Sequence, residues 1–125
     1  MRWWTIIALW VVATFAYGQP IELVAPPDGT DAGPILRGAI HRAASQPGSK
    51  QINLAAGRYV IESGHDANWF FVIGGATDLT LRGQGKDTQI IFRDPTRGGF
   101  LITSGARVAI ENLAVDYDPP PFTQG

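Results

Sequence analysis

The sequence predicts an all-β solenoid of short strands, closed near its start by one amphipathic helix. Three observations carry that expectation. The first is a recurrence. Ala76 to Phe92 reads ATDLTLRGQGKDTQIIF, an alternating strand (Leu79 and Leu81 against Asp78, Thr80 and Arg82), a glycine-studded turn, and a second apolar run. A shift of twenty-nine residues places Phe71, Val72 and Ile73 on Phe100, Leu101 and Ile102, and Leu79 and Leu81 on Val108 and Ile110. In the same register Gly83 falls on Asn112, and Gly and Asn most readily occupy a left-handed corner. A period of this length belongs to stacked repeats. The second observation is composition: 15 glycines and 9 prolines are dispersed along 125 residues, which favours many short strands joined by turns. The third is that a single stretch has convincing helical spacing.

Taken in order, Met1 to Gly18 reads as an export signal. Arg2 supplies a positive start, Trp3 to Phe15 is almost wholly apolar, and Ala16-Tyr17-Gly18 places small residues at the cleavage position. The run is shorter than the roughly 20 residues that span a bilayer. A mature chain from Gln19 would carry nine basic against 11 acidic residues and would work outside the cytoplasm, with no insertion in a membrane. Ile21 to Val24 is a short apolar strand, closed by a turn at Ala25-Pro26-Pro27-Asp28-Gly29. The helix follows over about residues 31–45. Thr30 or Asp31 can cap it, Pro34 suits its first turn, and Leu36, Ala39, Ile40 and Ala43 form one apolar stripe before Pro47-Gly48 stops it. His41 and Arg42 flank the stripe as solvated residues.

Strands occupy about residues 51–117. Ile52 and Leu54 alternate with Gln51 and Asn53, Ala56-Gly57 turns the chain, and Tyr59-Val60-Ile61 resumes. Ser63 to Asn68 is a polar loop before the aromatic run Trp69-Phe70-Phe71. Arg93-Asp94-Pro95 begins a turn into the second copy of the repeat, which runs through Val108 to Tyr117 and meets three prolines. A compact β-sandwich is the competing architecture, and parallel pairing of Leu79–Leu81 with Val108–Ile110 excludes it.

Composition also bounds function. No cysteine is present, which removes disulfide scaffolds, thiol nucleophiles and cysteine metal sites. The formal net charge of −1, with no basic stripe, argues against nucleic acid as a partner.

The succession of the helix, "INLAAGRYVI", "LTLRGQGKDTQIIF" and "VAIENLAVDY" resembles the N-terminal portion of the pectin-lyase-like right-handed parallel β-helix superfamily. The family often opens its helix with D-G-x-x-D-[DT], continues with a hydrophobic P-A-G-x-Y strand, and follows with a coil ending in G-x-G. Asp28-Gly29-Thr30-Asp31, Ala56-Gly57-Arg58-Tyr59 and Leu79 to Gly85 match these motifs. Ala55 stands where proline is usual, and Gly33-Pro34 replaces the usual acid and threonine. The likeness runs from about Ile21 to Tyr117 and implies that residues 19–125 form the N-terminal part of a β-helix, incomplete at its C-terminal end. It also implies a secreted protein acting on polysaccharide, as a lyase or glycoside hydrolase. In such enzymes the acids and bases lie on later coils, along one long sheet, so no catalytic residue carries over. A non-catalytic glycan-binding or adhesive module is the alternative.

The residues themselves offer weak chemistry. Asp116 and Asp118 are two apart, so on an extended strand their carboxylates share a face. Such a pair suits calcium, or acid and base work on a glycan; the alternative is a turn flank before Pro119-Pro120-Pro121. Trp69 offers a face for sugar stacking, against a core role. His65-Asp66 has the types for a proton relay, against a plain loop. Gly83-Gln84-Gly85-Lys86 lacks both the earlier glycine and the following Ser or Thr of a phosphate loop, and reads as a corner.

Overall fold

A computed structural model describes residues 20–119. The expected export signal and the residues beyond Pro119 lie outside the described residues. The elements are β1 (Ile21–Leu23), α1 (Gly33–Ala44), β2 (Lys50–Leu54), β3 (Gly57–Ile61), β4 (Trp69–Gly74), β5 (Thr77–Arg82), β6 (Thr88–Phe92), β7 (Gly98–Thr103), β8 (Ala106–Glu111) and β9 (Ala114–Tyr117). The strands build three sheets in the orders β1-β2-β5-β8, β3-β6-β9 and β4-β7, and every pairing is parallel. Each turn of the chain visits the sheets in the same order, an arrangement consistent with a parallel β-helix. Leu79 aligns with Val108 and Leu81 with Ile110 in a parallel pair, so the sandwich is excluded.

Like residues therefore stack along each sheet. Ile21, Ile52, Leu81 and Ile110 form one inward row. Ile61, Phe92 and Tyr117 form another, and Phe71 lies on Phe100 with ring centroids 5.0 Å apart. Phe92 joins the rows at the centre, 4.8 Å from Phe70 and 5.3 Å from Tyr117. Offset aromatic pairs of this kind add about 1 kcal/mol each beyond their burial. Burial falls away along the stack. Ile52, Tyr59, Ile61, Ile90 and Phe92 are fully buried, whereas Ile102 and Val115 in the last strands are 42% and 48% exposed.

The twenty-nine-residue register holds among β2, β5 and β8 of the four-stranded sheet and in the two-stranded sheet. It fails in the three-stranded sheet, where the offset is 31 residues (Tyr59 to Ile90) and then 25 (Ile90 to Val115). The physical reason is the corner before each of those strands: Ala55-Ala56 in the first coil, Gly83 to Asp87 in the second, Asn112-Leu113 in the third. Corners vary in length because they lie outside the ladder, while the strands they join must stay in register.

The helix begins at Gly33, slightly later than expected, with Ala32 at its N-cap and Pro34 in the first turn. Leu36, Ala39, Ile40 and Ala43 are buried as the stripe requires, and join the core beside β2, β3 and β4. His41 and Arg42 are exposed. Neither Thr30 nor Asp31 is the N-cap as expected, since Ala32 takes that position with no side-chain cap bond, and Asp31 acts from one residue earlier. Its carboxylate accepts from Gly33 N–H at 2.9 Å, and also from Glu62 N–H at 2.9 Å, Ser63 N–H at 3.0 Å and the Ser63 hydroxyl. It thus ties the start of α1 to the end of β3. Burial pushes its pKa up, but the bonds from Glu62, Ser63 and Gly33 outweigh burial and hold it below the usual carboxylate range.

Candidate functional site

The outward face of the four-stranded sheet carries the best-formed array of polar side chains. Strand alternation sends Ile52 and Leu81 inward, so Asn53 and Arg82 must point out. Because the pairing is in register, Glu22, Asn53, Arg82 and Glu111 lie on consecutive strands as one row. Asn53 donates to Glu22 Oε2 at 2.6 Å, and Gln51 donates to Asn53 Oδ1 at 2.6 Å. Arg82 pairs with Glu111 at 3.2 Å, with both side chains nearly half exposed. A parallel row holds Gln51, Thr80 and Ala109. At the edge of this face the Arg107 guanidinium grips Asp78 through two nitrogens. That hydrogen bond holds the Asp78 carboxyl below its ordinary pKa and raises the guanidinium. The result is a surface of carboxylate, amide and guanidinium groups, with rungs about 4.8 Å apart.

Sequence reasoning missed this row. The pairing of Arg82 with Glu111 was available in the register of Leu81 with Ile110, one residue further along each strand. Asn53 lies in the same twenty-nine-residue period as Arg82, but the extension to Glu22 was not available, since it crosses the intervening helix at an offset of 31 residues.

The residues singled out from the sequence are not brought together. Asp116 lies on the outer side of β9, aligned with Ile91, and its carboxylate accepts from Tyr117 N–H at 2.8 Å. Asp118 follows the strand and faces Arg93 across 4.0 Å. Trp69 is half-buried, and its ring covers Gly98, where an added Cβ would come within 2.2 Å of it. One ring face is thereby occupied by protein. Asp66 accepts from Asn68 and Trp69 N–H groups at 2.8 Å each, so its carboxylate closes the loop instead of engaging the His65 ring. Those two amides, first among the causes, depress its pKa. Asp94 likewise organises a turn, accepting from Thr96 N–H at 2.9 Å.

The Gly83 segment is a corner, as expected. Its N–H groups are committed: Gly83 to Glu111 C=O at 3.1 Å, Gln84 to Thr88 Oγ1 at 2.9 Å, and Gly85 to Asn112 C=O at 2.7 Å. Asn112 adopts the left-handed conformation at φ 61°. Gly83 does not, which corrects the reason expected for the Gly–Asn match. It is glycine for space, because a Cβ would lie 2.7 Å from Asn112 C=O and 2.8 Å from Thr88.

Among the described residues no group of three or more His, Asp or Glu is arranged to hold a metal ion. Comparison of the chain with protein-family models, curated proteins and solved structures finds no match.

Proposed function

We propose that this chain belongs to a secreted, right-handed parallel β-helix protein that acts on polysaccharide, of lyase or glycoside hydrolase type. The described coils contribute a glycan-docking face. The single observation behind this is the in-register row Glu22, Asn53, Arg82 and Glu111 on the outward face of the four-stranded sheet. A glycan presents hydroxyls at regular intervals, and a row of carboxylate, amide and guanidinium groups supplies acceptors and donors at regular intervals to meet them. In this reading the reacting acids and bases belong to coils other than those described.

A second reading, a non-catalytic glycan-binding or adhesive module, draws support from Asp116 and Asp118. Their carboxylates engage Tyr117 N–H and Arg93 instead of facing one substrate-sized gap.

Affinity electrophoresis against polygalacturonate, a neutral mannan and chitin tests the docking face. At least one glycan should retard the protein, and the double substitution R82A/E111A should weaken that retardation about tenfold, the loss expected when paired polar contacts to a ligand are removed. Absence of retardation by every glycan, or an unchanged double variant, would sink the docking face. Release of new reducing ends or unsaturated product on prolonged incubation separates the enzyme from the binding module.

A further inference from the structure

The edges of the three first-coil strands β2, β3 and β4 face the helical end of the molecule, and the first two take partners there. The edge of β2 pairs with β1, which is itself the outer strand of the four-stranded sheet. The edge of β3 receives a bond from Ala32 N–H to Val60 C=O at 2.8 Å. The third edge belongs to β4, the outer strand of the two-stranded sheet. Gly75 N–H donates to Thr103 C=O at 2.9 Å, which sets the alternation along the strand. Phe71 and Ile73 direct their amides toward β7, and Val72 and Gly74 direct theirs the other way. Phe70 C=O accepts from His65 N–H at 3.0 Å. The N–H and C=O groups of Val72 and Gly74 take no partner among the described residues.

Those groups open on a groove of about 300 Å³ between β4 and α1. Ile40 and Ala44 wall it on the helix side, and Arg37, His41 and His65 supply its polar lining, with no carboxylate among the lining residues. Arg37 is held by Ser63, donating to its C=O at 2.6 Å and to its Oγ at 2.9 Å. It enters no ion pair among the described residues.

We propose that this groove binds an extended acidic peptide as an added strand on β4. An unpaired strand edge recognises backbone in the extended conformation, since the same alternation of donors and acceptors must face it. The apolar wall accepts the side chains that point toward the helix. The lining of guanidinium and imidazole groups, without a carboxylate, selects acidic side chains over basic ones. The site is separate from the polar row on the four-stranded sheet.

The test uses the full chain and a fluorescent peptide of alternating valine and glutamate, with alternating valine–glutamine and valine–lysine peptides as controls. Anisotropy should show the glutamate peptide binding about tenfold tighter than the glutamine peptide, and the lysine peptide weakest. Hydrogen exchange at the Val72 and Gly74 amides should slow on binding. The double substitution H41E/H65E, at two exposed positions, should remove the preference for glutamate. Equal binding of the lysine peptide overturns the proposal. So does binding that leaves the Val72 and Gly74 amides unprotected, or no binding at all. Amides protected in the free protein and released on dilution would mean that a second copy occupies the edge. Protection lost on removing the first eighteen residues would assign it to this chain's own leader. Either result overturns the proposal as well.

Discussion

Asp31 carries more structure than any other polar side chain in the described chain. Its two oxygens collect bonds from Gly33, Glu62 and Ser63, joining the first turn of α1 to the loop that leaves β3. An acidic group at this place is helped by the positive end of the helix dipole. Asp31→Asn keeps the shape but presents an amide to donors, and should cost about 2 kcal/mol. The pH dependence follows from the lowered folded pKa. Stability from Asp31 is fully present above the unfolded value of about 3.9 and is lost as pH falls through the lower folded value. Thermal melts should therefore show a gap between wild type and D31N that is constant near neutrality and closes below about pH 4. A gap that persists unchanged into acid would refute this account. The sequence made Asp31 legible as a helix-start residue. Its bonds to Glu62 and Ser63 were not legible, because thirty residues separate them and only the coil brings them together.

At the scale of the element, α1 shows how far periodicity reaches. Its stripe of Leu36, Ala39, Ile40 and Ala43 was readable from spacing, and each of those residues is buried. The neighbour it covers was not readable, since an amphipathic face states that burial is needed and is silent about the partner. Leu36 is 1% exposed, on a helix that contacts strands of all three sheets, so Leu36→Ala should leave a cavity and cost about 3 kcal/mol in denaturant unfolding. A cost under about 0.5 kcal/mol, typical of surface changes, would show that α1 does not seal the stack. The strands tell a complementary story. Alternation identified inward Leu79, Leu81, Val108 and Ile110, and the same alternation fixed Arg82 and Glu111 as outward partners. Asp116 and Asp118 share no site because β9 ends at Tyr117, and the strict two-residue alternation stops with it.

For the whole molecule, stacking turns a set of short strands into one core. Among the described residues no strand exceeds six residues, and each is stable only because a like strand lies beside it. Parallel neighbours require a long connection, and here the other two sheets supply it. The same stacking turns single polar residues into rows such as Glu22, Asn53, Arg82 and Glu111. Export also belongs to this scale. If residues 1–18 direct secretion, intact-mass measurement of the secreted protein should show a chain beginning at Gln19. A product that keeps Met1 would contradict the export reading.

By itself the sequence determined the local terms: which residues alternate, where Gly, Pro and Asp turn the chain, which helix face is apolar, and that a twenty-nine-residue period repeats. These are legible because they depend on neighbours within a strand or a helical turn. Only the tertiary structure decided the rest. It shifted the three-stranded sheet out of that period through corners of unequal length, placed Gly83 against Asn112 and Thr88, and left the β4 edge open beside α1. Each of these depends on how coils settle on one another. A corner can gain or lose residues without changing any strand's own pattern, so local periodicity carries no record of it.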